Sequence, residues 1–422
     1  MNTYPHHSLA KTPPMGWNSW NCYGASVTEA EVRQNADYMA KNLKKFGWEY
    51  VIVDIQWYEP KAKSDQYNDG AELVMDGISR LMPAVNRFPS AADGRGLRSL
   101  ADYVHSLGLK FGIHILRGIP RQAVKAKTPT SVPGITADMI ADTSSTCDWN
   151  GDMYGVDADK KGAAEYYNSI FELYASWEID YVKVDDIAFP YHYREVELIR
   201  NAIDRTGRDI VLSLSPGRAS LAGAAHLMAH ANLWRMSGDF WDNWKQLREA
   251  FDLCRDWQNL RTPGAWPDCD MLTIGRIGIR SNGGPRYTNF TKDEQKTHIA
   301  LWCIFRSPMF IGCEMTMNDD FTLSLLTNEK LLRILNHSHG NHELYRDERG
   351  AIVWHALDDD GQCQYLAQFN VSEHELEIST PLDWLGLERA EMTELYDGSV
   401  SEGKAVVSSV PSHGVKIYEI SK

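Results

Sequence analysis

Asp180-Tyr181-Val182-Lys183-Val184-Asp185-Asp186 is a short apolar run that ends in carboxylates, and Trp234-Arg235-Met236-Ser237-Gly238-Asp239 repeats that form later in the chain. In a barrel of parallel strands, side chains at the strand C-termini project into the face where chemistry is done. Working outward, Tyr50-Val51-Ile52-Val53-Asp54, Leu109 to His114, Asp209 to Ser215, Leu233 to Ser237 and Met309-Phe310-Ile311-Gly312 read as further strands. They alternate with helical patterns, the signature of βα units around a parallel sheet. One helix has a start signal: Thr28 caps it while Glu31 reaches back, and Val32, Ala36, Met39 and Leu43 recur at helical spacing. Helices are also expected at 160–177, 241–257 and 292–306.

The texture changes near residue 335. Gly350 to Ala356 and Gln364 to Phe369 read as strands joined by a turn at Asp358 to Gly361, and Val415 to Ile420 alternates at period two. The expected organisation is a (β/α)8 barrel over residues 1–335, followed by an antiparallel β-sandwich domain, free of helix, over residues 336–422.

Composition narrows the function. A hydrophobic fraction of 43% and a charged fraction of 24% are those of a globular protein. The net charge of −14, with no Lys/Arg run, argues against a nucleic-acid partner. No apolar stretch is long enough to span a bilayer, and the first residues lack a signal-peptide pattern. The seven cysteines are scattered without a CxxC pair, so neither a disulfide framework nor a zinc-binding motif is indicated. A cytoplasmic location is expected, with no cofactor and no metal. The 14 Trp and 19 Tyr would suit a sugar binder, because pyranose faces lie on aromatic rings; large barrels also bury many aromatics, and most of these residues are read that way. Two carboxylates on different strands facing one sugar ring are the minimum equipment for hydrolysing a glycosidic bond.

Thr12-Pro13-Pro14-Met15-Gly16-Trp17-Asn18-Ser19-Trp20 resembles the opening of glycoside hydrolase family 27, the melibiase-type α-galactosidases. The resemblance continues through Asp54-Ile55-Gln56-Trp57, Gly108 to Ile113, Lys183-Val184-Asp185, Trp234-Arg235 to Asp239, Asp268-Cys269-Asp270-Met271-Leu272 and Pro411-Ser412-His413-Gly414-Val415. It covers nearly the whole chain in order. It implies an exo-acting, retaining glycosidase with a barrel and a C-terminal β domain. It makes Asp185 the nucleophile and Asp239 the general acid and base. Their carboxyl groups should stand about 5–5.5 Å apart, in environments that push their pKa values apart. Lys183 and Arg235 would donate to sugar hydroxyls or nearby carboxylates, Trp17 would be the apolar platform, and His114, Cys147 and Asp270 would line or close the pocket. Asp186, on the other face of the strand, reads as structural.

Two positions depart from the family. Where α-galactosidases carry two consecutive Asp at the end of strand two, this chain has Asp54-Ile55. Ile55 cannot accept a hydrogen bond, so a galactose 6-hydroxyl against it would lose about 1–3 kcal/mol. L-Arabinopyranose is galactose without C6, and its β-L anomer matches an α-D-galactoside. The expected substrate is therefore a terminal β-L-arabinopyranoside, an activity that a few family members have. The alternative is an α-galactosidase in which another group, such as Gln56, covers the 6-hydroxyl. After strand five, Ser213-Leu214-Ser215-Pro216-Gly217 replaces the family's Glu-Trp-Pro. Ser215 thus keeps an α-N-acetylgalactosaminidase open. A metal-dependent barrel enzyme using Asp54, Asp185, Asp186 and Asp239 is disfavoured by Lys183 and Arg235, which already supply positive charge. A non-catalytic sugar binder is disfavoured by the presence of both carboxylates. The partner is a small glycoside or oligosaccharide, and association into a homo-oligomer is left open.

Overall fold

The computed structural model describes residues 4–421. Eight parallel strands make one curled sheet: β1 (Met15–Asn18), β2 (Tyr50–Val53), β3 (Lys110–Leu116), β4 (Tyr181–Asp185), β5 (Val211–Leu214), β6 (Leu233–Arg235), β7 (Trp266–Asp268) and β8 (Met309–Ile311). Their order is β7-β6-β5-β4-β3-β2-β1-β8. The ring closes just past β7, where Leu272 bridges Ile311 in parallel. Leu272 N donates to the Phe310 carbonyl at 2.7 Å, and Gly312 N donates to the Leu272 carbonyl at 3.0 Å.

Strand parity sorts the side chains. Tyr50, Ile52, Tyr181, Val211, Leu233 and Phe310 form an apolar cluster inside the ring. Their alternating neighbours Val51, Val53, Val182, Leu212 and Trp234 belong to the larger core under the helices. Two glycines make room for the tyrosines of the inner layer. A Cβ on Gly16 would lie 2.4 Å from the Tyr50 carbonyl oxygen, and one on Gly112 would lie 2.9 Å from the Tyr181 Cβ. Following the same parity toward the strand ends, the inward positions turn polar: Asp54, His114, Lys183, Asp185, Ser213 and Arg235. One end of the barrel is thus an apolar floor and the other a polar mouth.

The barrel helices are α1 (Glu29–Asn42), α2 (Arg98–Ser106), α3 (Ala163–Ser176), α4 (Tyr193–Thr206), α5 (Ala224–His230), α6 (Trp244–Trp257), α7 (Lys292–Phe305) and α8 (Glu329–Asn336), with shorter turns between. At the start of α1 the Glu31 carboxylate accepts from Thr28 N at 2.9 Å, the reach-back that the capping pattern predicts, and also from Thr28 Oγ1 at 2.8 Å. A small three-stranded sheet, Ile119–Pro120, Ala141–Thr146 and Met153–Val156, sits over the mouth after β3.

The C-terminal region begins at Ser338. It holds β9 (Ser338–Arg346), β10 (Ala351–Asp358), β11 (Cys363–Asn370), β12 (Leu376–Pro381), β13 (Ala390–Glu394), β14 (Val400–Gly403), β15 (Ala405–Val410) and β16 (Val415–Ser421). A six-stranded antiparallel sheet, β9-β10-β11-β16-β13-β14, faces the β12-β15 ribbon. Val353, Leu366, Ile378, Val406 and Ile420 fill the space between them. The expectation of no helix here gives way to one 3-10 turn, Leu382–Leu385. The late His413-Gly414 pair docks this region on the barrel. The His413 ring stacks on Trp244 of α6 at 3.7 Å and contacts Glu294 of α7 at 2.9 Å, and its carbonyl accepts from Thr297 Oγ1 at 2.7 Å.

Candidate active site

The polar mouth holds a cavity of about 240 Å³ lined by Trp20, Asp54, Ile55, Tyr67, His114, Trp149, Lys183, Asp185, Pro216 and Asp239. Its deep wall is carried by β2, β3 and β4. Asp185 Oδ2 contacts His114 Nε2 at 3.0 Å, and Asp185 Oδ1 accepts from Asp186 N at 2.9 Å. Lys183 Nζ donates to Asp54 Oδ2 at 3.0 Å, and the same oxygen accepts from Asn18 Nδ2 at 2.8 Å. Burial alone would raise the Asp185 carboxyl. The hydrogen bond from His114 and the Lys183 charge outweigh it and hold the group well below the usual carboxylate range. Asp54 is lowered in the same way, burial being overcome by Lys183. For Lys183 the balance has the opposite sign: burial opposes its charge, but Asp54 and Asp185 raise it above the ordinary lysine value. The wall therefore keeps the Lys183 cation between ionised Asp54 and Asp185.

The outer wall is built differently. Asp239 comes from the loop after β6, and its side chain is 52% exposed. Arg235 Nη2 donates to Asp239 Oδ1 at 3.2 Å and to the Gly238 carbonyl at 2.6 Å, which positions the loop. Trp20, Tyr67 and Trp149 form an aromatic arc, with ring centroids 6.4 Å apart for the first pair and 5.7 Å for the second. A second cavity of about 530 Å³ lies on the other side of Asp239, bordered by Phe189, Arg218, Gln246 and Glu249. Asp239 lines both spaces.

A family model described as Melibiase_2, alpha galactosidase A, matches residues 12–161 and 158–337. The chain belongs to the melibiase family. Among solved structures, it is similar to a family 27 β-L-arabinopyranosidase from Geobacillus stearothermophilus, with a TM-score of 0.98 and 52% identity over 100% of this chain and 99% of that one. An aspartate-to-alanine variant of that enzyme, in complex with arabinose, matches equally well, at 52% identity and full coverage of both chains. A Bacillus halodurans structure provisionally described as an α-N-acetylgalactosaminidase has a TM-score of 0.88 and 48% identity over 97% of each chain. The α-galactosidase of Coffea arabica is 30% identical over 78% of this chain and 71% of its own.

Against the melibiase pattern, the sequence-predicted residues separate into two groups. Asp54, Ile55, His114, Lys183, Asp185 and Asp239 line the cavity together. Trp17 does not. It is fully buried in the outer core, and its indole donates to the Cys313 carbonyl at 2.8 Å. On β1 the residues Gly16 and Asn18 face the ring interior, so parity turns Trp17 outward, and Trp20, just beyond the strand end, lines the cavity instead. Cys147 is also off the wall; its thiol lies against Asp186, and burial pushes it up to about 12. Ser215 is 1% exposed, with an unpartnered hydroxyl, and stands behind Pro216. Arg235 and Asp270 support rather than line. Arg235 Nη1 pairs with Asp270 Oδ1 at 2.7 Å, and Asp270 Oδ2 accepts from Phe240 N at 2.7 Å, next to Asp239. Asp186 pairs with buried Arg117 at 3.0 Å, away from the cavity. Burial raises the Asp186 carboxyl to about 6 against the pull of Arg117.

Tyr67 and Trp149 were not found by sequence reasoning. Both sit in loops, Tyr67 after β2 and Trp149 between Ala141–Thr146 and Met153–Val156. Their only signal in the sequence is aromatic content in polar, turn-rich segments. Gln56, the alternative cover for a 6-hydroxyl, has φ +63°, and its amide donates to Asp152 Oδ2 at 2.9 Å instead.

Proposed function

We propose that the protein is a retaining exo-glycosidase that releases terminal β-L-arabinopyranose from short glycosides. The observation that carries this reading is Ile55 on the cavity wall with Gln56 turned away to Asp152. The wall at that point offers methyl groups and no acceptor, which suits a sugar that ends at C5 and disfavours one with a 6-hydroxyl. A volume of about 240 Å³ is below that of pockets for drug-sized ligands and matches one bound ring.

In this reading Asp185 attacks the anomeric carbon while Asp239 passes its proton to the leaving oxygen. The glycosyl–oxygen bond breaks as the ester to Asp185 forms. Asp239, now ionised, takes a proton from water; that water displaces Asp185, and arabinose leaves with its original anomeric configuration. The depressed Asp185 carboxyl is ionised throughout the working range, as a nucleophile requires. Lys183 and Asp54 hold the ring hydroxyls, the aromatic arc takes its apolar face, and the second cavity beyond Asp239 receives the leaving group.

The test is kcat/KM on the p-nitrophenyl glycosides of β-L-arabinopyranose, α-D-galactopyranose and α-D-N-acetylgalactosamine. Preference for the arabinoside supports the reading. Preference for the galactoside removes Ile55 as the determinant and leaves the mechanism intact. Preference for the N-acetyl sugar would require the Ser215 segment, now behind Pro216, to open toward the ring.

A further inference from the structure

Helices α4 and α5 carry a cluster that the glycosidase reading does not use. Glu197 of α4 and His226 and His230 of α5 place a carboxylate oxygen and two ring nitrogens within 4.8 Å of one another. All three residues are half-buried, so the group is open to solvent on one side. The two histidines are one helical turn apart on the same face, with rings stacked at 4.0 Å and 23°.

The far nitrogen of each ring is already held. His230 Nδ1 lies 2.9 Å from the His226 carbonyl. A carbonyl only accepts, so Nδ1 carries the proton and Nε2 carries the lone pair. His226 Nδ1 lies 2.6 Å from the Tyr191 hydroxyl, which leaves Nε2 as the atom facing Glu197 Oε1, at 3.3 Å. Anchoring one imidazole nitrogen so that the other is aimed is the usual second layer of a metal-binding histidine. Glu197 keeps this oxygen free of its neighbour: Arg194 approaches the other one, Oε2, at 3.9 Å.

We propose that Glu197, His226 and His230 form a zinc(II) site on the flank of the barrel, with a water in the fourth position. Two imidazoles and one carboxylate are a donor set for zinc and related first-row ions. Calcium and magnesium, which take oxygen ligands, fit it poorly. The ion would clamp α4 to α5. Tyr191, its outer anchor, lies on the loop that leaves β4 after Asp185, and Phe189 of the same loop borders the second cavity beside Asp239. The site therefore fixes a segment next to the leaving-group space without touching either catalytic carboxylate. It is independent of which sugar the pocket takes.

The experiment uses the full chain, stripped with EDTA, dialysed, and titrated with zinc chloride in a calorimeter, with thermal unfolding run in parallel. One equivalent should bind and raise Tm. His226→Ala and His230→Ala should each weaken binding by about 100-fold or more, and Tyr191→Phe by about tenfold, the range of an outer-layer partner. Glu197→Gln, which keeps the shape of the side chain, should weaken binding as well and thus guards against misfolding of the alanine variants. The metal-free protein should keep its glycosidase activity. Absence of a stoichiometric binding event overturns the proposal, and so does one equivalent bound undiminished by the His226→Ala/His230→Ala double variant.

Discussion

The two walls of the pocket differ in how they are held. The deep wall stands on strand ends. Asp54 and His114 are essentially buried, Lys183 and Asp185 are 12% and 13% exposed, and every charge has a named partner. The outer wall stands beyond the strand ends, mostly on loops, with the Asp239 side chain at 52% and Trp149 at 39% exposure. The group that acts as the nucleophile in the proposed mechanism is enclosed in a hydrogen-bond network. The group that gives up and recovers a proton in the proposed mechanism stands where a leaving group and water can reach it. Rigidity and access are thus divided between the two carboxylates.

The contrast breaks most sharply at the nucleophile. Asp185→Ala should lower kcat by about 10⁴-fold or more. Azide should restore part of the rate on an activated arabinoside and leave a glycosyl azide of inverted configuration. Near-normal turnover without azide would remove Asp185 from the role. Next in size, Asp239→Asn should cost about 10²–10⁴-fold on an alkyl arabinoside and far less on the p-nitrophenyl substrate, whose leaving group needs little protonation. Equal losses on both substrates would mean that the exposed wall does not supply the acid. Smaller again, Ile55→Asp should raise the ratio of galactoside to arabinoside kcat/KM by about 10–100-fold, the worth of one polar contact. An unchanged ratio would place the determinant elsewhere.

The smallest effect is on stability. The Asp185 carboxyl is depressed in the fold because His114 and Lys183 outweigh its burial. Its ionised form therefore contributes stability above the unfolded value of about 3.9, and this is lost as the pH falls toward the folded value. Between about pH 5 and pH 3 the wild type should lose more of its urea midpoint than Asp185→Asn. Parallel curves would mean that the deep wall does not hold the carboxylate as described.

Parity explains what could be read from the sequence. The strands ending in Asp54, His114, Asp185 and Arg235 were visible because apolar runs ending in polar residues have one reading in a parallel barrel. β1 and β7 were not isolated as runs, because Gly16 and Pro267 interrupt them, and only the resemblance marked their positions. Trp17 went astray for the same physical reason that made the others legible: one step along a strand reverses the face. Tyr67 and Trp149 obey no period, since a loop side chain is aimed by the loop's own turns and by its neighbours, here each other. Ile55 was legible as a chemical departure, while the turn that sends Gln56 to Asp152 needed a left-handed φ that no pattern announced.

The floor of Tyr50, Ile52, Tyr181, Val211, Leu233 and Phe310 closes the barrel beneath the polar mouth. No glycan passes through the barrel, and on the proposed exo-glycosidase reading only a tip enters the pocket. On a branched glycan the speed of digestion then follows the number of tips per unit mass, and every cut either exposes a new tip of the same kind or ends the work on that branch.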